Sequence, residues 1–447
     1  MSRWVVSGNQ QECGVNYSED ISANGVQVTT VRVFLVLCVT LRLTVTHLDV
    51  VTAYLNADLK DEVYIRFPGN FDINGNTCAK LAKSIYGLKQ AAHDWQECCR
   101  TWIMSYDSRI KNSAVEPCLY YICPQALTSL VVVHVDDFMV ASTDDAWKND
   151  FIEAMGKRFT INVLGKFNHC LGVGAEWKGD TMVTLTQTAM VDKLIQHYGM
   201  TDATVAPTPM ELGFHLEPAS QKSEDIPYLK LVGELFWLAR NTRPDIFQAI
   251  AVLSRYSAKY DSSHFKALKR ILRYLKGTID YGIVLRKKSD TFDIVGYADS
   301  DWAGDKNSRR SQSGWIVTLS GNPVVFGSTQ QKSVALSTTE AELMALSMCV
   351  RDMLYLHQLL KDIVTIPLPM VCNCDNLGTV QILNSGNRSS RSKHVDIKYF
   401  FVREKIMEGV IKLVHIPSKD NMADLFTKPL PAPAFGTFTQ TVLNRTI

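Results

Sequence analysis

The sequence is short of several things that would settle its class at once. None of its eleven cysteines forms a CxxC pair, and Cys372-Asn373-Cys374 is too tight for a zinc knuckle. That argues against a structural zinc site, and an odd number of scattered thiols suits a reducing compartment. Charge of one sign is also lacking. The formal net charge is only +2, so a basic partner-binding surface must be sought locally rather than in the total. The most apolar run, Val33 to Leu41, is bracketed by Arg32 and Arg42. It falls well short of the roughly 20 residues that span a bilayer and reads as a buried helix, with no membrane association expected. No signal peptide, internal repeat, low-complexity tract or Asp-Ser/Thr-Gly protease motif is present.

What is present is an ordinary folded composition, 46% apolar and 21% charged over 447 residues, long enough for two to four domains. Leu130 to Val135 and Phe138 to Ala141 are β-rich runs joined by Asp136-Asp137, which predicts a hairpin with a carboxylate pair at its turn. Thr201 to Ser223, with Pro207, Pro209 and Pro218, reads as a linker. Leu229 to Lys276 has helical spacing, and Lys266, Lys269, Arg270, Arg273 and Lys276 recur every three or four residues on one face. Such a face is either simply solvated or tracks a phosphate backbone.

From Thr291 onward the order is more specific. Three short strands are expected at Ile294–Ala298, Trp315–Leu319 and Val324–Phe326, then a helix from Thr338 to about Leu360 and a strand at Met370–Cys374. Helices from Leu377 and around Val395–Met407, a strand at Val410–His415 and a last helix from Asn421 complete it. Three hairpin strands followed by alternating helix and strand is the α/β pattern of a ribonuclease H-like domain.

That order would gather Asp299, Glu342, Asp375 and Asp424 at one end of the sheet. A cage of hard oxygens suits Mg²⁺, with Mn²⁺ as a substitute. Two such ions about 3.5–4 Å apart serve phosphodiester hydrolysis. Without metal, four carboxylates would repel one another. Ser337-Thr-Thr-Glu340 is a capping box, so Glu340 is assigned to the helix start. Asp301 and Asp305 are read as loop acids. In the N-terminal part, Asp49 ends a β-branched run, and with Asp136 it could hold two Mg²⁺ ions for nucleotidyl transfer. Asp137 is counted with them, against the alternative that an Asp-Asp pair at a turn is only turn chemistry.

The C-terminal segment resembles the ribonuclease H of copia-type retrotransposons. The motifs are Tyr297-Ala-Asp-Ser-Asp-Trp-Ala-Gly-Asp305, Arg309-Arg-Ser-Gln-Ser-Gly-Trp315, Val334-Ala-Leu-Ser-Thr-Thr-Glu-Ala-Glu342, Cys374-Asp-Asn376, Ser392-Lys-His-Val-Asp-Ile397 and Ala423-Asp-Leu-Phe-Thr-Lys-Pro-Leu430. The resemblance implies that Asp299, Glu342, Asp375 and Asp424 are metal ligands, and that Arg391, Lys393 and His394, beside Arg388, contact a hybrid. Leu48-Asp-Val-Val-Thr-Ala-Tyr-Leu55, Val135-Asp-Asp137 and Lys83-Ser-Ile-Tyr-Gly-Leu-Lys-Gln-Ala91 resemble the reverse transcriptase palm of the same elements. That implies Asp49, Asp136 and Asp137 as catalytic metal ligands, and Lys89 and Gln90 as template and nucleotide contacts. Tyr54 would be the aromatic that packs under the incoming sugar. The family pattern is broken by His134 in place of Tyr, Val51 in place of Lys, and Ala92-His93 in place of Pro-Arg.

The expectation is a multidomain α/β protein. Residues 1–200 are assigned to partial fingers and a right-hand polymerase palm, 201–288 to a linker and helical thumb or connection, 289–432 to a ribonuclease H-like domain, and 433–447 to a tail. The implied partners are an RNA template, a DNA primer, an RNA–DNA hybrid and dNTPs. Met1 would fall inside the fingers of an N-terminally truncated polymerase, with capsid, protease and integrase parts upstream. A cytoplasmic virus-like particle, or the nucleus, is the expected location. A degenerate copy that only binds nucleic acid, or acts only as a ribonuclease H, is the alternative.

Overall fold

A computed structural model describes residues 5–19, 21–23, 25–67, 78–385 and 393–445. The chain forms two compact units, Met1–Phe34 with Leu43–Phe167, and Leu35–Arg42 with Asn168–Ile447. The run bracketed by Arg32 and Arg42 lies in the helix Val28–Leu41, with Val33 to Val39 buried. No described helix is long and apolar enough to cross a membrane.

The first unit is built on a six-stranded sheet. Its strands run in the order Lys111–Asn112, Leu119–Ile122, Ser129–His134, Asp137–Ser142, Thr44–Val50, Ile161–Lys166. The expected hairpin is there, and Val135 opens its turn at φ 53°, a left-handed conformation costly for a β-branched residue. Alternate residues of the central strands, Leu48, Val50, Val131, Val133, Phe138 and Val140, are buried in one core with Trp95 and Phe151. Those rings come from the helices Ala91–Tyr106 and Asp145–Arg158. The second helix is started by Asp144, whose carboxylate accepts from the Trp147 amide, and ends on Lys157 and Arg158.

In the second unit a four-stranded sheet runs in the order Ile283–Arg286, Met182–Thr186, Val173–Trp177, His169–Cys170. Its edge strand arrives about a hundred residues after its neighbour, with the helices Tyr228–Asn241, Phe247–Ser254 and Ser262–Gly277 in between. This pairing fuses residues from 168 onward into one body, so the compact break falls at Phe167/Asn168 and not at the expected 200/201. The proline-containing stretch from Thr201 is irregular, as expected of a linker. It is nonetheless stitched down: the Ala206 amide donates to the Arg273 carbonyl and the Ser223 amide to the Tyr260 carbonyl.

A second sheet in this unit has five strands in the order Asn322–Gln330, Gln312–Leu319, Ile294–Asp301, Met370–Cys374, Ile411–His415. The first three are antiparallel and the last two join in parallel. The helix Thr338–Leu360 packs on it so closely at Gly296 that an added Cβ would lie 2.6 Å from Cys349 Sγ and Met353 Sδ. Gly314 gives the same close approach to Phe426 and Thr427, each 2.7 Å from a built Cβ.

Three local expectations are corrected. The last helix is the short 3-10 turn Met422–Phe426, since Pro429 and Pro431 leave no room to extend it. The segment expected as a tail, 433–447, is no tail over its described residues: Ala432–Val442 is a helix, the Val284 amide donates to the Leu443 carbonyl, and the Phe435 ring meets Tyr274 at 5.5 Å. In the capping box, Ser337 Oγ accepts from the Glu340 amide, but Glu340 reaches the Leu336 amide and not that of Ser337.

Candidate active sites

Parallel pairing of Ala298 with Cys374 brings the next residues, Asp299 and Asp375, to the same end of the five-stranded sheet. The long helix delivers Glu342 and the 3-10 turn delivers Asp424. The four acids form two overlapping groups whose ligand atoms lie within 4.8 Å of one another: Asp299 with Asp375 and Asp424, and Glu342 with Cys374 and Asp375. Asp375 belongs to both.

These carboxylates are held deliberately. Glu342 is 5% exposed, and its Oε1 accepts from the Ser300 amide at 3.2 Å and Ser300 Oγ at 3.1 Å. Asn421 Nδ2 bridges the Ala298 carbonyl at 3.0 Å and Asp375 Oδ1 at 3.3 Å. Thr427 Oγ1 donates to Asp299 Oδ2. Burial, then repulsion from Asp299 and Asp375, pushes the Glu342 carboxyl well up. Burial and Asp299 push Asp424 up to about 7, against the pull of Lys428. Acids driven toward protonation at neutral pH are a site that gains from a cation.

Sequence reasoning left Lys428 without a role. Its ammonium lies 3.0 Å from Asp424 Oδ1 and 3.7 Å from Asp299 Oδ2. The signal was legible, since Lys428 stands four residues after Asp424. Asp305 is engaged by Ser308, Gln330 and Arg255, and neither it nor Asp301 enters an ion-sized group.

The first unit arranges its acids differently. Asp49 and Asp137 are directly opposite across the antiparallel pair, and the Val50 amide donates to the Asp136 carbonyl at 2.8 Å. Trp95 Nε1 holds the turn by donating to the Val135 carbonyl at 2.6 Å. Burial raises the Asp136 carboxyl, with Asp137 and Asp49 adding to it. Yet Asp137 Oδ1 is 2.8 Å from His47 Nε2, and Asp49 Oδ2 accepts from Asn162 Nδ2 at 3.0 Å. Among the described residues, no three ligands in this unit come within ion-holding distance. His47 escaped the sequence reading because its alternation with Asp49 carried no motif.

Tyr54 sits in the 3-10 turn Ala53–Asn56, half-buried, its ring 4.6 Å from that of Tyr86. Burial, Tyr86 and the nearby Asp136 all raise its phenol. Lys89 and Gln90, expected as template and nucleotide contacts, bond to their own chain in the structure. Gln90 is buried, donating to the Asn16 carbonyl and Asp61 and accepting from Gln11 Nε2. Lys89 Nζ donates to the Gln11 carbonyl and Tyr17 Oη. These residues clamp the segment around residues 11–17.

The basic helix is likewise partly spent on its own chain. Arg270 pairs with Glu211 at 2.7 Å, Arg273 donates to the Thr204 carbonyl, and Lys276 to the carbonyls of Thr201 and Ala203. Lys269 lies over the Phe265 ring, while Lys266 is exposed. Arg388 and Arg391 fall outside the described residues, as do the side chains of Lys393 and His394.

The chain matches one family model and known polyproteins along most of its length. The family described as "Reverse transcriptase (RNA-dependent DNA polymerase)" matches residues 1–212. The chain is 32% identical over 442 residues, 98% of its length, to the Retrovirus-related Pol polyprotein from transposon RE1 of Arabidopsis thaliana. It is 31% identical over 451 residues, 97% of its length, to that from transposon TNT 1-94 of Nicotiana tabacum. It spans 30% and 33% of those two polyproteins. A solved foamy viral protease-reverse transcriptase in complex with RNA/DNA hybrid shares its fold at TM-score 0.50 and 12% identity, covering 92% of this chain and 48% of that one. Over nearly its whole length the chain is similar to the Pol polyproteins of copia-type retrotransposons, and its residues 1–212 match the reverse transcriptase family.

Proposed function

We propose that the chain makes DNA on an RNA template at the first acidic site and cuts the RNA strand of the resulting hybrid at the second. The fingers and palm lie in the first unit. The second unit supplies a helical connection and a ribonuclease H-like domain. The observation that carries the nuclease is the sharing of Asp375 between two ion-sized ligand groups.

The donors fit a hard divalent cation: four carboxylates, with the Cys374 thiol as the one soft neighbour. Magnesium held there would activate water and neutralise the leaving oxygen of a phosphodiester. The protein's part is positional. Ser300 fixes which Glu342 oxygen is left to the site, and Asn421 and Thr427 orient Asp375 and Asp299. Each carboxylate is thus in place before substrate arrives, so little reorganisation remains for the chemical step.

At the first site Asp49 and Asp136 are the residues that would hold a divalent metal, which would supply charge neutralisation for attack of a primer 3′-hydroxyl on a dNTP. The Tyr54 ring packs under the incoming sugar and disfavours a 2′-hydroxyl. A reading in which the chain acts only as a nuclease draws support from the hold of His47 on Asp137 and of Asn162 on Asp49. A Mg²⁺-dependent assay on a labelled RNA–DNA hybrid, with and without dNTPs, separates the two. Cleavage and extension together support the full reading, and cleavage alone the narrower one. Neither activity in folded protein rejects both.

A further inference from the structure

The two ligand groups around Asp375 are not equivalent. Among the described residues, no ammonium or guanidinium pairs with Glu342, whose carboxylate meets Ser300 and the Cys374 thiol. The group with Asp299 and Asp424 has the Lys428 ammonium between two of its three members. That side chain is placed by its backbone: the Thr427 and Lys428 amides both turn back onto the Asp424 carbonyl, and Pro429 fixes the chain beyond. Its own side chain is 37% exposed, so an open route to solvent remains.

We propose that Lys428 is a resident counter-cation, which holds the Asp299–Asp424 half of the site together and leaves when a divalent ion enters. This rests on the reading that the acids bind divalent metal. Two cations cannot share this space cheaply. The carboxylate oxygens lie within 4.8 Å of one another, and an ion among them would stand within a few ångströms of the ammonium. At that range like charges repel strongly wherever water is excluded. The lysine therefore does two opposed things. It relieves the repulsion among the acids in the metal-free protein, and it competes with the ion for the same oxygens. Consequently the two ions bind with unequal affinity, the weaker one on the Asp299–Asp424 side.

The test is Mn²⁺ binding followed by electron paramagnetic resonance on the full chain, with thermal melts run with and without Mn²⁺. Lys428→Met is expected to tighten the weaker ion by about tenfold or more, and to lower the melting temperature of the metal-free protein. Lys428→Arg, which keeps the charge, should stay near the parent in both. Should the Met variant fold poorly without metal, the rise in its melting temperature on adding Mn²⁺ reads the same competition, and should exceed that of the parent. Two-ion binding in the parent that the Met variant leaves unchanged or weakens would overturn the lysine's role while sparing the metal site. Unchanged Mn²⁺ affinity with weakened hybrid binding would make Lys428 a phosphate contact instead. If neither parent nor Met variant binds Mn²⁺ better than Asp375→Asn, both the lysine's role and the metal site are lost.

Discussion

The two acidic sites use the same residue type in opposite states of readiness. In the second unit four carboxylates from two strands, a helix and a 3-10 turn converge on ion-sized groups, and their mutual repulsion shows in the raised Glu342 and Asp424. In the first, Asp49 and Asp137 face each other across one strand pair, and each is occupied by a neighbouring side chain. A hydrolytic site must be complete before its substrate arrives, because water is always present. A polymerising site can finish its assembly on the triphosphate, which brings charge and metal with it. On the proposed function, that difference in co-substrate accounts for the difference in preorganisation.

The largest expected effect breaks the comparison by residue. Asp375→Asn removes a ligand common to both groups, and hybrid cleavage should fall by at least about 10²–10³-fold, the scale of losing one preorganised charge partner. Primer extension should be nearly unchanged. Asp136→Asn should do the reverse. Loss of both activities from either change, in protein with a native circular dichroism spectrum, would show that the sites are not separate. Tyr54→Val sharpens the first site alone. Relief of one steric clash should raise ribonucleotide incorporation relative to dNTP by roughly tenfold or more, while an unchanged ratio would make Tyr54 a packing residue.

A subtler contrast is with pH. Asp424 ordinarily titrates near 3.8 and is pushed up to about 7 in the folded protein. A raised acid binds protons in the folded state that the unfolded state has lost, so stability falls as pH rises from about 4 to about 7. Without metal the second unit should melt lower at pH 7.5 than at pH 5. The difference between those two pH values is bounded at about 2.5 kcal/mol, and is smaller once Lys428 and the neighbouring acids share the charge. Adding Mg²⁺ should erase it. A metal-free melting temperature that climbs over this range would remove the premise that these acids are strained. The smallest effect belongs to the basic helix. Lys266→Ala should leave stability alone and reduce the salt dependence of hybrid binding by about one unit of slope; a change in melting temperature would mean a structural role like that of Arg270.

Strand and helix order in the second unit was legible because each element carried its own period and its own capping or turn residue, from Gly296 to Ser337. The meeting of the four acids was legible too, since the order of strands and helices carries Asp299, Glu342, Asp375 and Asp424 to one end of the sheet. Long-range repayment of polar groups was not. Nothing local says that Gln90 is buried against residue 11, or that Arg273 and Lys276 spend their charge on the carbonyls of 201–204. A basic helix face and a family motif look the same in sequence whether they meet phosphate or their own chain. The strand Ile283–Arg286 misled for a related reason, since its partner lies a hundred residues upstream.

The helix Ala432–Val442 bears on how the chain can be cut. Asn444, left-handed at φ 58°, donates to the Val284 carbonyl at 2.8 Å and to Asn322 at 3.1 Å. It thereby ties the last residues to the edge strand of one sheet and the hairpin turn of the other. A fragment trimmed to 289–432 would keep all four acids of the second site, yet expose the edges these residues cover and invite edge-to-edge aggregation. Cleavage at a protease site engineered at 432 should therefore lower the soluble yield of the second unit, as measured by sedimentation after digestion.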